Sequence, residues 1–317
     1  MQYILEAASV IYGGAEMNYY KEIKNELINN EVYKRVKDYS KNKNELSTYY
    51  NVGKLLIEAQ GGEGRAKYGD GLIKKYSKKL NDELGRKYNI TTLKRMRQFY
   101  LIVEKGATLS HQLMWSHYCE LLAFDNVDEI NYYIKQTGDY NLSVRELREK
   151  IKSKEYQRLD DKTKLKLINK EETVVSDFIK NPIVIRNKYN IDKEEITEKI
   201  LKKLILEDLD NFLKELGTAF SYIENEYKIK IGNTFNYIDL LLYNIKFNCY
   251  VVIELKVTEL KKEHIGQIQI YMNYVDKNIK TINQNKTIGV IICKKDNGYY
   301  IEYSSDNRIF SKNYILS

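Results

Sequence analysis

The chain has 317 residues, of which 43% are hydrophobic and 30% charged; this composition supports packed cores and excludes a wholly disordered chain. The length predicts about two domains. No apolar run approaches the roughly 18 residues of a membrane span, the start of the chain lacks a secretory signal pattern, and the three cysteines are far apart, so we expect a cytoplasmic protein with reduced thiols.

The net charge of +8 is carried by the first part of the chain. Residues 1–170 contain 31 basic and 23 acidic side chains, whereas residues 171–317 contain 21 of each. Within residues 62–105 the counts are 12 basic and 5 acidic. Such a surplus favours a polyanionic partner, because phosphate contacts release condensed counterions. A solvated helix face is the alternative.

The first half has a helical pattern. Apolar spacing predicts helices over 18–40, 44–60 and 72–86, and the glycine-rich segment 61–71 interrupts them. Ser143 and Glu146 form a capping-box pattern, which predicts the start of a further helix.

Residues 91–105 read as a helix capped by Thr91 or Thr92, with Lys94, Arg95 and Arg97 on its polar face. Exposed cations at the start of such a helix suit a recognition helix in a helix-turn-helix-like fold, so we expect these three side chains to bind DNA. An ordinary amphipathic helix is the alternative.

The second half changes to an α/β pattern after a polar stretch at 157–172, where we expect the domain boundary. A long amphipathic helix is predicted over 193–216 and a shorter one over 264–275. Short apolar runs predict five strands: 227–231, 237–243, 249–257, 287–293 and 299–303. Helices alternating with such strands indicate an α/β fold with a mixed sheet.

Asp239 lies inside an apolar strand, where a carboxylate is costly unless it is paired or binds a metal. The five residues 244–248 can turn the chain into the next strand, and the hairpin would bring Glu254 beside Asp239. Alternation puts Glu254 and Lys256 on one face. The spacing D-x14-E-x-K is the pattern of PD-(D/E)xK nucleases, although ExK in a strand is weak evidence alone and a solvent-facing salt bridge is the alternative.

Two carboxylates of this kind suit Mg²⁺, or Mn²⁺, with the backbone carbonyl of Leu255 as a further ligand. The metal would polarise the scissile phosphate and activate a bound water. Lys256 would orient that water or offset charge in the transition state.

Further candidates lie on the flanking helices. Glu215 precedes the strands, and Glu207, Asp208 and Glu224 compete for the same role. Gln267 and Tyr271 form an i, i+4 pair that can hydrogen-bond a bound water, Lys256 or a phosphate; packing of Tyr271 is the alternative. We include Glu215, Gln267 and Tyr271 among the expected catalytic residues.

From about residue 20 to residue 305 the chain resembles the YhcG-like bacterial PD-(D/E)xK nucleases. The first half carries TTLKRMRQFYL (91–101), LMWSHYCELL (113–122) and SVRELREKI (143–151). The second half carries DFIKNP (177–182), YIDLLLYN (237–244), CYVVIELKV (249–257) and EHIGQIQIYMNYVD (263–276). The chain departs from the family pattern at Lys262 and in the loop 228–236.

The resemblance implies an α+β, multidomain protein: an all-α, winged-helix-like DNA-binding domain over 18–157, and a restriction-endonuclease-like α/β domain over 172–310. It implies metal and catalytic roles for Asp239, Glu254 and Lys256, and the role of helix acid for Glu215. The association of the family with restriction-modification and mobile-element loci implies defence against foreign DNA.

We therefore expect a Mg²⁺-dependent endodeoxyribonuclease that acts in defence or in DNA processing. The alternative is a non-catalytic DNA-binding or scaffold subunit, which the intact Asp, Glu and Lys disfavour. The sequence does not decide between DNA and RNA as substrate. It also leaves open whether the protein forms a homo-oligomer and whether it has restriction-modification partner proteins.

Overall fold

The structure is a computed structural model, and it divides the chain into two compact units, Met1–Tyr156 and Gln157–Ser317. The residues that it describes are 18–31, 41–62, 70–85, 87–295 and 298–317. Parts of the predicted helix 18–40 and of the glycine-rich segment 61–71 lie outside them. No helix of the described ranges is both long enough and apolar enough to cross a membrane.

All regular secondary structure in the described part of the first unit is helical. Its helices are α1 (18–31), α2 (Lys41–Ala59), α3 (Asp70–Leu84), α4 (Ile90–Glu104), α5 (Trp115–Leu121), α6 (Val127–Tyr140) and α7 (Val144–Lys152). The capping box at the start of α7 is formed, since Ser143 and Glu146 exchange hydrogen bonds. No strand lies in the described part of this unit, so a wing, which is a β-hairpin, is not seen there and the winged-helix detail stays a prediction.

Helix α4 begins earlier than its predicted threonine cap. Its N-cap is Asn89, whose side-chain oxygen accepts a hydrogen bond of 2.9 Å from the backbone N–H of Thr92. Asparagine and threonine both serve as caps, and here the asparagine satisfies the free N–H group. The prediction that Thr91 or Thr92 caps this helix is therefore wrong.

Helices α2 and α4 approach closely at Gly53, and Gly53→Ala is expected to destabilise the protein by about 1–3 kcal/mol. A Cβ atom at this position would lie 2.2 Å from the carbonyl oxygen of Met96 and 2.8 Å from Cβ of Tyr100, so the helices would have to separate. Denaturant unfolding measures the loss. Gly71→Ala on α3 is the control, because its Cβ atom meets nothing within 4 Å. Equal stability of both variants would contradict the expected close packing.

The second unit is built around one six-stranded sheet. Its helices are α8 (Asp161–Asn169), α9 (Glu198–Glu207), α10 (Leu209–Leu216), α11 (Lys262–Asn278) and α12 (Gly298–Glu302), with a 3₁₀ turn at Val175–Phe178. Its strands are β1 (Ile183–Ile185), β2 (Phe220–Ile231), β3 (Thr234–Asn244), β4 (Cys249–Glu259), β5 (Asn285–Lys295) and β6 (Ile309–Leu316).

The strand order is β1-β6-β5-β4-β3-β2, and the sheet is mixed as predicted. Strands β2, β3 and β4 run antiparallel in sequence, whereas β5, β6 and β1 continue the sheet by parallel pairs. Helices α9 and α10 pack with one apolar cluster of the sheet and α11 with another. The chain therefore has the expected α+β architecture: a helical region followed by a mixed-sheet domain.

Two predictions for the second unit are wrong. The predicted strand 299–303 overlaps α12, because the neighbouring β5 and β6 are parallel and need a crossover connection between them. The predicted helix 193–216 begins at Glu198 and breaks at Asp208, whose backbone leaves the helical region at φ −134° and ψ 46°.

Candidate active site

Two carboxylates lie on neighbouring central strands. Leu240 of β3 pairs with Ile253 of β4 in antiparallel register, and Asp239 and Glu254 follow directly at the end of this pairing, where the charge of Asp239 raises the pKa of Glu254. The predicted hairpin forms, with β3 ending at Asn244 and β4 beginning at Cys249. The close approach of two acids within a largely apolar sheet is the main feature of the site.

Both carboxylate oxygens of Asp239 have partners. One accepts a hydrogen bond of 2.9 Å from the backbone N–H of Leu255, and the other lies 2.6 Å from Nζ of Lys202 on α9. The carboxylate is largely buried, and the ion pair with Lys202 offsets part of the cost of that burial. The structure thus joins Leu255 to Asp239 through its backbone N–H.

Lys202 also contacts Glu226, at 3.3 Å from its carboxylate. Glu226 lies between Asn225 and Tyr227, which pair with Leu240 and Ile238, so it is opposite Asp239 on β2. Its backbone has a φ of 52°, which is rare for a residue with a Cβ atom and recurs at functional sites. Burial alone would lower the pKa of Lys202, but Asp239 and then Glu226 raise it, so Lys202 is charged.

Glu254 is buried, with 2% of its surface exposed. Its Oε1 atom accepts a hydrogen bond of 3.0 Å from Nζ of Lys256, whereas Oε2 has no hydrogen-bond partner among the described residues. Burial, and then the negative charge of Asp239, raise the pKa of Glu254 to about 7. A buried carboxylate oxygen without a protein partner is costly, and it is an atom that a bound cation could satisfy.

Lys256 is held between two acids. Its Nζ atom lies 3.0 Å from Glu254 and 3.7 Å from Glu198, the first residue of α9. Burial alone would lower the pKa of Lys256, but Glu254 and then Glu198 raise it. Burial, and then the charge of Lys256, lower the pKa of His264 at the start of α11.

Glu198, Lys202 and Glu226 were not among the predicted site residues. The sequence offers one indirect signal, since Asp239 within an apolar strand needs a cationic partner. Which of the many lysines provides that charge depends on how α9 packs on the sheet. Glu198 and Glu226 look like ordinary exposed glutamates until the helix and strands are in place.

Glu215 is not brought to Asp239 and Glu254. Its carboxylate binds the guanidinium of Arg158, lies 3.4 Å from Nζ of Lys180, and accepts a hydrogen bond of 2.9 Å from the backbone N–H of Val184. Val184 belongs to the edge strand β1, three strands from β4, which corresponds to about 14 Å across the sheet. Although burial acts to raise the pKa of Glu215, Arg158 and then Lys180 outweigh it and lower the pKa.

Gln267 and Tyr271 contact each other on α11. The side-chain amide of Gln267 donates a hydrogen bond of 3.0 Å to the hydroxyl of Tyr271, whose ring packs in the apolar cluster of that helix. Among the described contacts, none joins either side chain to Asp239, Glu254 or Lys256. Gln267 lies about one helical turn beyond His264, whose pKa is lowered by burial and then by the charge of Lys256.

The predicted DNA-binding residues of α4 differ in their surroundings. Lys94 and Arg95 are exposed, whereas Arg97 is partly buried and donates a hydrogen bond of 3.2 Å to the side chain of Gln60. Arg97 therefore takes part in packing of its own unit, and the first two cations are the more accessible to a polyanion.

The donor set near Asp239 fits a hard divalent cation held by few protein ligands. No cluster of three or more His, Cys, Asp or Glu side chains arranged to hold a metal occurs in the described part of the chain. Mg²⁺ commonly binds through one or two carboxylates, with water and substrate phosphate completing its shell. Asp239 and Glu254, with its unpartnered oxygen, provide the two carboxylates that such an ion needs.

Both units match known families. Residues 23–158 match the DUF1016 N-terminal domain, and residues 176–316 match the YhcG PDDEXK nuclease domain. A relative from Escherichia coli (strain K12), named "Putative nuclease YhcG", is 28% identical over 286 residues, which cover 78% of this chain and 76% of the relative.

Two solved structures are more distant. A repair endonuclease from Pyrococcus abyssi is 17% identical with a TM-score of 0.28, and covers 38% of this chain and 47% of its own. A complex of EndoMS with double-stranded DNA is 17% identical with a TM-score of 0.29, and covers 39% of this chain and 48% of its own. This chain thus spans less than half of either protein, and TM-scores this low carry no weight for its function.

Proposed function

We propose that this chain, whose residues 176–316 match the YhcG PDDEXK nuclease domain, is a Mg²⁺-dependent endonuclease that hydrolyses phosphodiester bonds in DNA. The observation that carries the proposal is Glu254, a buried carboxylate that has an unpartnered oxygen, lies within the electrostatic influence of Asp239 and accepts a hydrogen bond from Lys256. The two acids and the amine that the D…ExK pattern predicts thus lie on adjacent strands.

Asp239 and Glu254 would hold the metal, with the backbone carbonyl of Leu255 as a further ligand; Mn²⁺ suits the same oxygen donors. When bound, such an ion supplies Lewis-acid polarisation of a phosphoryl oxygen and lowers the pKa of water. Lys202 now neutralises Asp239, so we expect this ammonium group to shift toward Glu226 when a divalent cation takes its place.

Lys256 has the charge needed next to a phosphate. Its ammonium group is kept protonated by Glu254 and Glu198, so it can donate hydrogen bonds to a phosphate oxygen or orient the attacking water. Gln267 and Tyr271 are proposed to support the same water or a DNA phosphate. Glu215 has no part in this proposal, since its carboxylate is committed to Arg158 and Lys180.

The helical unit is proposed to bind DNA as a domain over residues 18–157, with the nuclease domain over 172–310. The first 170 residues carry the whole net charge of +8, and Lys94 and Arg95 are exposed on α4. Cations of this kind contact phosphates and position a protein on its substrate without reading bases. A role in defence against foreign DNA, or in DNA processing, would follow from such an activity, with a homo-oligomer or restriction-modification proteins as its proposed partners.

The proposal predicts cleavage of DNA by the purified full chain with Mg²⁺ or Mn²⁺, and none in EDTA. Supercoiled plasmid, linear duplex, single strand and a four-way junction together reveal the preferred shape of the substrate, and Lys256→Ala is expected to lose the activity. Salt-sensitive DNA binding without cleavage under any of these conditions would contradict the proposal and favour a non-catalytic DNA-binding or scaffold subunit. Cleavage of RNA alone would contradict the choice of DNA.

A further inference from the structure

The hairpin of β2 and β3 separates from the rest of the sheet at one end, although β4 continues to Glu259. β2 and β3 pair from Phe220 and Asn244 to Ile231 and Thr234, but β4 pairs with β3 only along residues 240–244. Residues 227–238, here called the arm, therefore form a two-stranded ribbon. The sequence predicted a strand over 227–231, and the structure continues it into a hairpin, with a turn at Gly232 and Asn233.

One face of the arm is anchored and the other is open. Ile229 and Ile238 are buried in the apolar cluster that contains α11. The opposite face consists of two cross-strand pairs, Lys228 with Tyr237 and Lys230 with Phe235. These four residues are called the outer patch.

The outer patch exposes aromatic rings between cations. Phe235 and Tyr237 are 51% and 52% exposed, and Nζ of Lys228 lies 4.0 Å from the ring centroid of Phe235. The arm contains no Asp or Glu, so its two lysines are not neutralised within it. About half of each ring is exposed to solvent, and a face of this composition complements a ligand that carries both negative charge and flat apolar surfaces.

The outer patch leads directly to the candidate active site. Phe235, Tyr237 and Asp239 are alternate residues of β3 and therefore share a face of the ribbon. The Cα atom of Asp239 lies about 7 Å along the strand from that of Tyr237. A polymer lying along this face would have one repeating unit next to Asp239.

We propose that the outer patch binds unpaired nucleotides of the DNA strand that enters the active site, an inference that rests on the proposed nuclease function. Lys228 and Lys230 contact backbone phosphates, and Phe235 and Tyr237 stack on bases. Stacking on an aromatic side chain requires an accessible base face, which a continuous duplex does not provide. The substrate class that this surface favours is consequently DNA with a single-stranded segment, such as a flap, a gap or a splayed junction.

Binding of a fluorescently labelled single strand by the full chain, measured by anisotropy in EDTA, separates recognition from cleavage. Phe235→Ala combined with Tyr237→Ala is expected to weaken binding of the single strand about tenfold or more, with a smaller effect on the matching duplex. Lys228→Gln combined with Lys230→Gln is expected to reduce the slope of log affinity against log salt by about 1.4, since each phosphate contact on a single strand contributes roughly 0.7.

Tyr303→Ala and Lys277→Gln are the matched controls, since both side chains are exposed and lie outside the arm. Thermal unfolding is expected to be the same for all variants, because none of the replaced side chains is buried. Unchanged affinity and unchanged salt slope in both double variants would overturn the inference, as would a wild type that binds duplex alone. The separate assay of wild-type cleavage with Mg²⁺ distinguishes this failure from failure of the nuclease proposal.

Discussion

Replacing Glu254 with glutamine is expected to reduce DNA cleavage by about 10³-fold or more without loss of stability. The variant keeps the size of the side chain but removes a charged oxygen donor from the proposed metal site. A metal ion at a phosphoryl oxygen is worth several kcal/mol of transition-state stabilisation, and each 1.4 kcal/mol changes the rate about tenfold. The buried side chain of Glu254 should therefore matter for the chemistry far more than for folding.

The expected stability follows from the raised pKa of Glu254. Burial and Asp239 raise this pKa to about 7, whereas an unfolded glutamate titrates near 4.5, so ionisation costs the metal-free protein stability as pH rises between these values. A neutral glutamine avoids that cost, although it gives up the ion pair with Lys256. Above pH 7 in EDTA, the variant should unfold at the temperature of the wild type or higher.

Cleavage rates with Mg²⁺ and thermal unfolding in EDTA, measured on the same preparations, check this prediction. Glu259→Gln is the matched control, because it makes the same change on the same strand at an exposed ion pair with Lys295. A Glu254→Gln variant that cleaves like the control would exclude Glu254 from the active site. An inactive variant that is also severely destabilised would indicate a structural role.

Glu215→Gln, in contrast to Glu254→Gln, is expected to lose stability and keep its activity. The expected loss in the free energy of unfolding is about 3–5 kcal/mol. The substitution removes the carboxylate that pairs with Arg158 and Lys180, and the side chain of Lys180 is only 4% exposed. Removing one member of a buried ion pair leaves an uncompensated charge, which is the costly case. At temperatures where the variant stays folded, its cleavage rate should remain within a few-fold of the wild type.

The pH dependence of stability provides a second measurement on Glu215. Arg158 and Lys180 hold its pKa below the ordinary value, against the effect of burial, so its contribution to stability is complete above pH 4.5 and disappears as pH falls through the lowered pKa. The wild type should lose more stability than Glu215→Gln in this acid range. Denaturant unfolding at several pH values measures the difference.

Asp210→Asn is the control for Glu215, since it removes an exposed acid from the same helix, where the pair with Lys214 contributes little. A stable but inactive Glu215→Gln variant would contradict the structural role. That result would restore Glu215 as the helix acid of the active site, as the family resemblance implies.

The central part of the candidate site could be predicted because it depends on local geometry. Asp239, Glu254 and Lys256 lie on two consecutive strands, and a hairpin with period-2 alternation is enough to bring them together. The mixed sheet could be predicted for a similar reason, because its antiparallel strands β2, β3 and β4 are consecutive in the sequence.

The flanking residues could not be predicted because their partners are remote in the sequence. Glu215 meets Arg158 and Val184 only once the three-residue strand β1 has joined the far edge of the sheet. The contact between Lys202 and Asp239 depends on the end of α9 at Asp208 and on the packing of α9 against the sheet. Neither could be predicted from the sequence. A helical pattern predicts which face is apolar, but not which strand each charged side chain will meet.

The arm shows a similar limit. The run YKIKIGNTFNY alternates apolar and polar residues, and a strand was predicted only over 227–231. That the ribbon separates from β4 beyond Leu240, with one aromatic face left open, depends on how the strands and α11 pack. Such a surface becomes visible only in three dimensions.

The most direct test of the central claim is a calorimetric titration of Mn²⁺ into metal-free wild type, Glu254→Gln and Glu259→Gln. If Asp239 and Glu254 form the metal centre of this nuclease, the wild type and Glu259→Gln bind the ion saturably, and Glu254→Gln loses that binding. Equal binding of Mn²⁺ by all three proteins would contradict the assignment of the metal to this pair of carboxylates.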